Sequence, residues 1–395
     1  MNHRIAQKND CPRAICFISL ETWDDIWRRN QFIAKQWDET GWSVAFVGPG
    51  RDLSYSVRSR DFSQFWGGTQ VPENLPLVNA SRPLKVAPNS LKAGAWINDR
   101  LWCRHLQSRF PKYESDQVVF WVNDHSCTPA IRTLPKRCLI YDITDDWTQF
   151  KQPGPAERRT REGDRWLCEN ADAVVVCSQG LFECKKDLVP NDRLFLIPNG
   201  VDIEHYADCV DPQRQLNASS NALVFGYTGS IHGQRVDVDL VASLASRLDR
   251  GIIRLVGPDM LTTPERDALL RTGRVEFCGP KPYKELPAVM RKMDVMIVPH
   301  LVTPFTESLN PLKLWEYLAS GKPIVSTPVA GFRDFPASVR LAGTADSFHA
   351  AMMDSLTESS DVAIQRRAAA EGHSWQARAE QIEKVIAFAI ANRRV

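Results

Sequence analysis

The sequence predicts an α/β protein built from two Rossmann-like units in tandem. Short apolar runs alternate with helical stretches along the chain, which is the pattern of parallel sheets covered by helices. The runs are apolar on both faces, as expected for strands that are buried on both sides. With 395 residues, the chain is also too long for a single core of the usual size.

The apolar runs divide into two sets of predicted strands. The first set lies at 14–20, 43–48, 117–122, 137–143, 173–178 and 194–198. The second set lies at 222–229, 252–257, 275–279, 295–299 and 323–327, with helices predicted over 236–249, 283–292 and 311–320. A turn-forming cluster at 198–202 separates the sets, so we expect a first domain over 1–200 and a second over 201–374.

The last stretch, 375–395, has the spacing of an amphipathic helix. Ile382, Ile386 and Ile390 recur at intervals of four residues, and basic residues at the end complement the helix dipole. We therefore expect a C-terminal helix whose apolar face packs back on the first domain.

Composition and charge exclude several classes of protein. A net charge of +2 without a long basic run argues against a nucleic-acid-binding protein. The 10 cysteines include no C-x-x-C pair, which is typical of reduced cytosolic thiols and not of a zinc site or a disulfide framework. No segment approaches the ~18 apolar residues of a membrane span, and the first residues lack the apolar core of a signal peptide. We therefore expect a cytoplasmic protein.

The segment 308–325 has the features of a helix start that holds an anion. Asn310 is a favourable N-cap, and Pro311 suits the first helical position. The free N–H groups and the dipole of such a helix would face the space in front of Ser308, Leu309 and Asn310, where they favour a phosphate.

Two further side chains extend this anion site toward a nucleotide diphosphate. Lys313 and Glu316 are three residues apart and share one helix face. Lysine is a phosphate-binding cation, and a carboxylate one turn later accepts hydrogen bonds from sugar hydroxyls. The alternative is an ordinary amphipathic helix on which Lys313 and Glu316 form a surface ion pair.

Several motifs in a fixed order carry a family resemblance. They are YDITDDW (141–147), ENADAVVVCSQGL (169–181), IPNGVD (197–202), GYTGSI (226–231), DLVASLA (239–245), IIRLVGP (252–258), the run 275–299, and NPLKLWEYLASGKPIVST (310–327). Together they resemble the GT-B glycosyltransferases, and among these the bacterial polysaccharide-assembly transferases of the group-1, or GT4-like, type.

The resemblance implies two Rossmann-like domains that face each other across a cleft. It also implies a glycosyltransferase that moves a sugar from a nucleotide diphosphate donor, UDP-linked, to a saccharide or lipid-linked acceptor. The nucleotide sugar is then a substrate, and no cofactor is expected.

The resemblance further assigns candidate donor-binding residues. Gly229 and Ser230 match a tight turn whose backbone approaches the diphosphate, and Arg235 lies just beyond it. The loop 279–283, which contains Lys281 and Tyr283, matches the place where the family holds the nucleobase. Glu316 matches the ribose-binding glutamate of the family's E-x7-E motif. The alternatives are a plain turn at Gly229, a solvated arginine at 235, and a Tyr283 that only packs against its own helix.

The same motif is incomplete in this chain. Ser308 stands eight positions before Glu316, where the family has its first glutamate, and Glu307 is one residue too early. The retaining mechanism usually associated with that glutamate is therefore not predicted. Ser308, Leu309 and Asn310 remain candidates for contacts to the donor through N–H and hydroxyl groups.

A second acidic motif is interpreted as structural. Asp237-Val238-Asp239 has the form of a metal-binding D-x-D, but it falls at a predicted helix start, where the dipole favours acidic residues. We expect no metal site, because a helix N-terminus and Lys313 can neutralise a leaving diphosphate.

Transfer with inversion needs a base that removes the proton of the acceptor hydroxyl. Asp145 follows the strand 137–143, where α/β proteins place functional groups, and the resemblance to xanthan-assembly transferases in Tyr141-x-x-Thr144-Asp145 implies the same role. Asp146 is the second candidate, and Asp124 and His125 are held in reserve. Alternatively, residues 144–146 merely cap the following helix.

The tryptophans suggest an acceptor at a membrane. Ten of the 12 lie at or before position 166. On a predicted helix over 95–110, Trp96 and Trp102 lie close to Arg100 and Arg104, and this mixture suits the inner face of a membrane. The alternative is that these tryptophans simply pack.

Two other functions remain open at this point. A nucleotide-sugar epimerase of similar fold would need no acceptor. A catalytically inactive nucleotide-sugar-binding subunit would fit the incomplete E-x7-E motif.

Overall fold

The first of two sheets contains seven parallel strands. A computed structural model describes residues 14–24, 26–49, 51–53, 56–57, 60, 62, 78–79, 85–89, 91–109, 118–134, 136–149, 154–209 and 223–393. Within these ranges the strands of the first sheet are β1 (Ala14–Ile18), β2 (Ser43–Val47), β3 (Val78–Asn79), β4 (Val118–Val122), β5 (Cys138–Ile143), β6 (Ala173–Val176) and β7 (Leu194–Leu196). The spatial order is β3-β2-β1-β4-β5-β6-β7. This order reverses at β1 and β4, the point where such sheets bind ligands.

Helices pack on both faces of this sheet. They are α1 (Arg29–Glu39), α2 (Lys92–Arg109), α3 (Thr128–Ile131), α4 (Gly154–Asn170) and α5 (Gln179–Lys185). Side chains of β1 alternate between two cores, with Cys16 and Ile18 in one and Ile15 and Phe17 in the other. The two-sided burial is the reason that these strands are apolar throughout.

The second sheet repeats the design with six parallel strands. They are β8 (Val224–Thr228), β9 (Ile252–Val256), β10 (Val275–Phe277), β11 (Val295–Val298), β12 (Ile324–Ser326) and β13 (Arg340–Leu341). Their order is β10-β9-β8-β11-β12-β13, so the reversal falls at β8 and β11. The helices are α6 (Val238–Arg247), α7 (Thr263–Leu270), α8 (Leu286–Arg291), α9 (Pro304–Glu307), α10 (Leu312–Ser320), α11 (Ala345–Asp354) and α12 (Ser360–Ala370).

The strand predictions are confirmed, with each strand shorter than predicted by one to three residues. The first residues of two predicted strands, 117 and 222, lie outside the described residues, as do 1–13, 394 and 395 of the predicted domains. β3 and β13 were not predicted, because two-residue edge strands leave no periodic signal.

The last helix, α13 (Trp375–Ala391), returns to the first domain. Trp375, Ile382 and Ile386 share a core with Phe32 and Trp37 of α1, and the ring of Phe32 stacks on Trp375 at a centroid distance of 4.7 Å. Each fully buried apolar side chain of this kind stabilises the fold by about 1.5–3 kcal/mol. The chain therefore crosses between the two sheets twice, near 200 and again near 374.

Candidate active site

A single cleft cavity of about 490 Å³ lies at the carboxyl ends of the strands of both sheets. The first sheet contributes Glu21, Trp27, Arg28, Arg29, Asn30, Asn123, Thr144, Asp145 and Trp147 to its wall, among others. The second contributes Gly229, Ser230, His232, Arg235, Lys281, His300, Leu309, Asn310, Lys313 and Glu316, among others. Most of the predicted donor residues and the first predicted base therefore share one space.

The helix start at α10 differs from the prediction in its cap. The N-cap residue is Pro311, with φ −66° and ψ 130°, and not Asn310. The side-chain oxygen of Asn310 instead accepts hydrogen bonds from the Trp315 indole N–H at 2.9 Å and from the backbone N–H of Asn199 at 2.9 Å. Asn310 is thus tied both to its own helix and to the chain between the two domains.

Lys313 lies inside the cavity and not on the surface. It is 7% exposed, and its ammonium group donates to the Tyr227 hydroxyl at 2.6 Å and lies 3.4 Å from His300 Nε2. Burial, reinforced by the Arg235 guanidinium, lowers the pKa of Lys313 well below its usual range. An anion beside this amine would favour its charged form. The alternative of a surface ion pair with Glu316 is therefore wrong.

Glu316 lies on the same wall of the cavity, half-buried, one turn after Lys313. Burial raises the pKa of its carboxyl group to about 7, although the Tyr206 hydroxyl and the Lys313 ammonium partly oppose this rise. A carboxyl group with this pKa changes its charge near neutral pH, so its capacity to accept hydrogen bonds from a ligand depends on pH.

The turn after β8 approaches its neighbour closely enough to require glycine. Gly229 has φ +131°, and the Gly229 N–H donates to Val256 O at 2.8 Å. A Cβ added at Gly229 would lie 2.8 Å from the Lys313 ammonium. A Cβ at Gly257, which has φ +148°, would lie 2.1 Å from the Gly229 carbonyl oxygen. The turn thus brings backbone next to the lysine, as a phosphate-binding turn must.

Arg235 and Asp145 face each other across the cleft. An Arg235 Nη2 to Asp145 Oδ1 distance of 3.7 Å joins the two domains, and the guanidinium lies 5.5 Å from the ring centre of Phe305. Burial raises the pKa of Asp145, and the charge of Arg235 opposes that rise. Asp145 is therefore a carboxyl group at the cavity whose basicity depends on where Arg235 sits.

The other acidic candidates are absent from the cavity wall formed by the described residues. Asp146 is 3% exposed and accepts from the backbone N–H of Thr148 at 3.1 Å, with the Lys185 ammonium at 3.9 Å. Asp124 caps a short 3-10 turn by accepting from the Ser126 N–H at 2.7 Å, and His125 belongs to that turn. Asp124 and Asp146 therefore bind local turns, whereas Asp145 lines the cavity.

The residues before α10 are divided between the cavity and the domain contact. Leu309 and Asn310 line the cavity, but Ser308 does not, because its hydroxyl donates to Phe305 O at 2.7 Å. Glu307 also points elsewhere, since its carboxylate pairs with Arg333 at 2.5 Å. Neither position supplies a side chain to the donor space, which corrects the expectation for Ser308.

The two candidate residues of the loop after β10 likewise differ in their positions. Lys281 lines the cavity, whereas Tyr283 does not. The ring of Tyr283 is stacked between His205 at 4.0 Å and Trp27 at 5.6 Å between centroids. Tyr283 therefore packs where the two domains meet, because its flat faces are already covered.

Three remaining predictions concern a metal and a membrane. The Asp237 carboxylate accepts from the Leu240 N–H at 2.9 Å and caps α6, and no group of potential metal ligands occurs among the described residues.

Trp96 is 58% exposed with Arg100 at 4.7 Å from its ring, but Trp102 is only 6% exposed, so the two tryptophans do not share one face of α2. In the described part of the chain, no helix combines the length and apolar character needed to cross a membrane.

Several cavity residues were not predicted from the sequence. Arg29 is 3% exposed, pairs with Asp142 at 3.0 Å and donates to Pro198 O at 3.1 Å. Arg29 Nη2 and Asn30 Oδ1 are buried without a hydrogen-bond partner, and both residues line the cavity. The sequence signal for these residues is the Arg-Arg-Asn run at the start of α1. That run does not predict a cavity, because charged residues are seldom buried.

Comparison with known proteins shows similarity to glycosyltransferases. Residues 222–357 match the model of the family described as glycosyl transferases group 1. A teichuronic acid biosynthesis glycosyltransferase of Bacillus subtilis is 28% identical over 204 residues, which are 48% of this chain and 50% of that protein. The D-inositol 3-phosphate glycosyltransferase of Corynebacterium glutamicum is 27% identical over 311 residues, which are 71% of this chain and 72% of that protein. The alignment thus spans half the length of the first relative.

The fold comparison agrees with the sequence comparison. The solved structure of the Anabaena protein HepE in complex with UDP and glucose matches with a TM-score of 0.67 at 16% identity, over 94% of this chain and 99% of that one. Other glycosyltransferase structures match over similar lengths. The two sheets and the cleft between them give the chain the GT-B fold of these structures, and residues 222–357 match the group-1 glycosyl transferase model.

Proposed function

We propose that the protein transfers a sugar from a UDP-linked donor to a saccharide or lipid-linked saccharide acceptor, in the assembly of a polysaccharide or glycoconjugate. One observation carries the proposal. A single cavity joins a buried lysine, a glycine turn and a carboxylate of the second domain to Asp145 of the first. The Anabaena structure with UDP and glucose supports a UDP-linked donor for a chain of the same fold.

The second domain binds the donor in this proposal. Lys313 and Arg235 neutralise the diphosphate, and the backbone at Gly229 and Ser230 approaches it. Glu316 accepts hydrogen bonds from the ribose hydroxyls, and Lys281 lies beside the base. The burial of Lys313 supports this assignment, because the charge of a diphosphate would stabilise the ammonium form that burial disfavours.

The first domain supplies the base. Asp145 accepts the proton of the acceptor hydroxyl while that oxygen attacks the anomeric carbon, and the bond from that carbon to the UDP oxygen breaks. The electron pair leaves with UDP, whose charge Lys313 and Arg235 stabilise. Burial raises the pKa of Asp145, which suits a group that must take up a proton near neutral pH.

The test is turnover with and without an acceptor. Purified protein is incubated with a panel of UDP-sugars, with or without saccharide acceptors, and UDP release and product mass are measured. Product that requires an acceptor is the expected result. A changed UDP-sugar without any acceptor would support the epimerase, and tight UDP binding without turnover would support the binding subunit.

We also propose that the protein is cytoplasmic and contacts the inner face of the membrane peripherally through the start of α2. Leu91, Trp96 and Ile97 are exposed there beside Arg100 and Arg104, and such a mixture suits an anionic interface. Flotation with anionic vesicles at low salt should recover the wild type. Trp96→Ala should reduce that recovery, whereas Ile364→Ala, which removes an equally exposed apolar side chain elsewhere, should not. Absence of wild-type binding would contradict the proposal.

A further inference from the structure

The first turn of α5 makes a direct contact with the segment that precedes α10. The Ser178 hydroxyl donates to the Ser308 carbonyl oxygen at 2.6 Å, across the boundary between the domains. The same hydroxyl accepts from the Leu181 N–H at 3.0 Å and so caps α5. One side chain therefore stabilises a helix of the first domain and holds backbone of the second.

Gly180 makes this contact possible. A Cβ at position 180 would lie 2.5 Å from the Glu307 carbonyl oxygen, which is closer than such atoms approach in proteins. Gly180 does not have a positive φ, so alanine fits its helical backbone. Only the backbone of the other domain leaves no room for a side chain there.

A second set of bonds holds the same segment from the chain between the domains. The Asn199 side-chain amide donates to the Asn310 carbonyl oxygen, and the Asn199 N–H donates to the Asn310 side chain at 2.9 Å. The backbone N–H of Asp146 faces the Ser308 hydroxyl at 3.4 Å. Residues 308–310 are thus fixed from the first domain immediately before α10 begins, and Lys313 follows three residues later.

We propose that the first turn of α5, through Ser178 and Gly180, positions the donor-binding start of α10 for the transfer reaction. The inference rests on the proposed function. Docking sets the distance between the diphosphate held by Lys313 and the first-domain wall that contains Asp145. Ser308 fits this role where the family has a glutamate, because a carboxylate at 308 would be buried beside Asp146.

The decisive variant is Gly180→Ala, with Gly154→Ala as the matched control. Gly154 begins α4, and a Cβ there meets nothing within 4 Å. Gly180→Ala should lower kcat about 100-fold, since a displacement of about 1 Å has effects of this size. Its unfolding temperature should stay near the wild-type value, because the higher helix propensity of alanine offsets the lost contact. Gly154→Ala should keep the wild-type kcat.

A second pair of variants separates capping from docking. Ser178→Asp keeps an N-cap acceptor but removes the donor to Ser308 O, whereas Ser178→Thr keeps both. We expect Ser178→Asp to lower kcat about tenfold, as for the loss of one hydrogen bond, and Ser178→Thr to retain it. Amide hydrogen exchange over 305–312 should be faster in Gly180→Ala and Ser178→Asp than in the controls.

Retention of the wild-type kcat in Gly180→Ala would overturn the inference, as would a kcat loss accompanied by a matching loss of stability. A wild type that transfers no sugar from any UDP-sugar contradicts the proposed function instead. In that case hydrogen exchange over 305–312 still decides whether Gly180 holds the segment. Unchanged exchange in Gly180→Ala would then overturn the docking by itself.

Discussion

The two walls of the cleft are built differently. In the second domain, Lys313 donates to the Tyr227 hydroxyl, a Cβ at Gly229 would lie 2.8 Å from the Lys313 ammonium, and the Tyr317 hydroxyl accepts from the Thr228 N–H at 2.8 Å. These contacts remain within one domain. In the first domain, Asp145 is paired with Arg235 of the other domain at 3.7 Å. The lysine and the glycine turn of one wall are held within their own domain, whereas the carboxylate of the other wall depends on the approach of its partner.

This difference separates binding from transfer. Preorganised groups within one domain bind a ligand at little cost in ordering. A base that is aligned by contacts between domains acts only when the domains have closed. Substitutions in the second domain should therefore change UDP affinity, and substitutions in the first should change turnover at unchanged affinity.

The largest effect is expected from Asp145→Asn. Loss of a general base lowers turnover by about 10²–10⁴-fold, and UDP affinity should remain near the wild-type value because the amide keeps the size of the side chain. Steady-state kinetics and calorimetric UDP binding measure the two quantities. Asp146→Asn is the control, since Asp146 bonds to Thr148 away from the cavity and should affect stability more than turnover. Equal turnover losses in both variants would remove Asp145 from its proposed role.

A smaller and opposite pattern is expected from Lys313→Ala. UDP affinity should fall about 10–100-fold, as for the loss of a charge-assisted hydrogen bond, so the thermal shift by UDP should disappear at moderate ligand concentration. Lys284→Ala, which removes an exposed lysine, should keep the shift. If Lys313→Ala retained the wild-type shift, the difference between the two walls would not hold.

The pH dependence of UDP binding tests the second-domain wall at Glu316. Its folded pKa of about 7 lies above the ordinary value of 4.5, so the carboxylate form that we propose to bind ribose is lost as pH falls through 7. UDP affinity of the wild type should fall severalfold from pH 8 to pH 6. Glu316→Gln removes that contribution and serves as the control for titration of the phosphate itself, so its pH profile should be flatter.

The same shift predicts how stability responds without ligand. Between pH 4.5 and about 7 the folded protein holds a proton at Glu316 that the unfolded chain releases, so the wild-type free energy of unfolding should decrease as pH rises through this window. Glu316→Gln should lack this decrease. Denaturant unfolding at pH 5 and pH 8 compares the two proteins. If the free energy of unfolding changed equally in the two proteins between pH 5 and pH 8, the raised pKa of Glu316 would be excluded.

The sequence was most informative where the site is local. Lys313 and Glu316 lie on one helix, so their spacing predicted that they share one face, and the family resemblance implied the glycine turn that directly follows β8. Ser178 and Ser308 are 130 residues apart in the chain. Neither residue carries a pattern that indicates its partner, and a serine before a helix predicts only a cap.

Burial in the first domain was also hard to predict. Arg29 pairs with Asp142 at a sequence separation of 113 residues, and charged residues are ordinarily expected on the surface. Asp145 and Asp146 are equivalent in sequence, but the chain direction after β5 sends only the first toward the cavity. The burial of Arg29 and the position of Asp145 at the cavity depend on tertiary packing and not on residue spacing.

The smallest effect is expected at Asp237, where two interpretations of one motif are compared. Asp237 caps α6 through the Leu240 N–H, and asparagine caps a helix about as well as aspartate. Asp237→Asn should therefore leave turnover and the unfolding temperature near their wild-type values, and a chelator should not lower the rate of either protein. A metal-binding role would instead require the carboxylate charge, because a divalent cation prefers ionised oxygen ligands. A large loss of turnover in Asp237→Asn that added metal restores would assign part of the diphosphate's neutralisation to a cation. The charge of the second-domain wall would then not come from Lys313 and Arg235 alone.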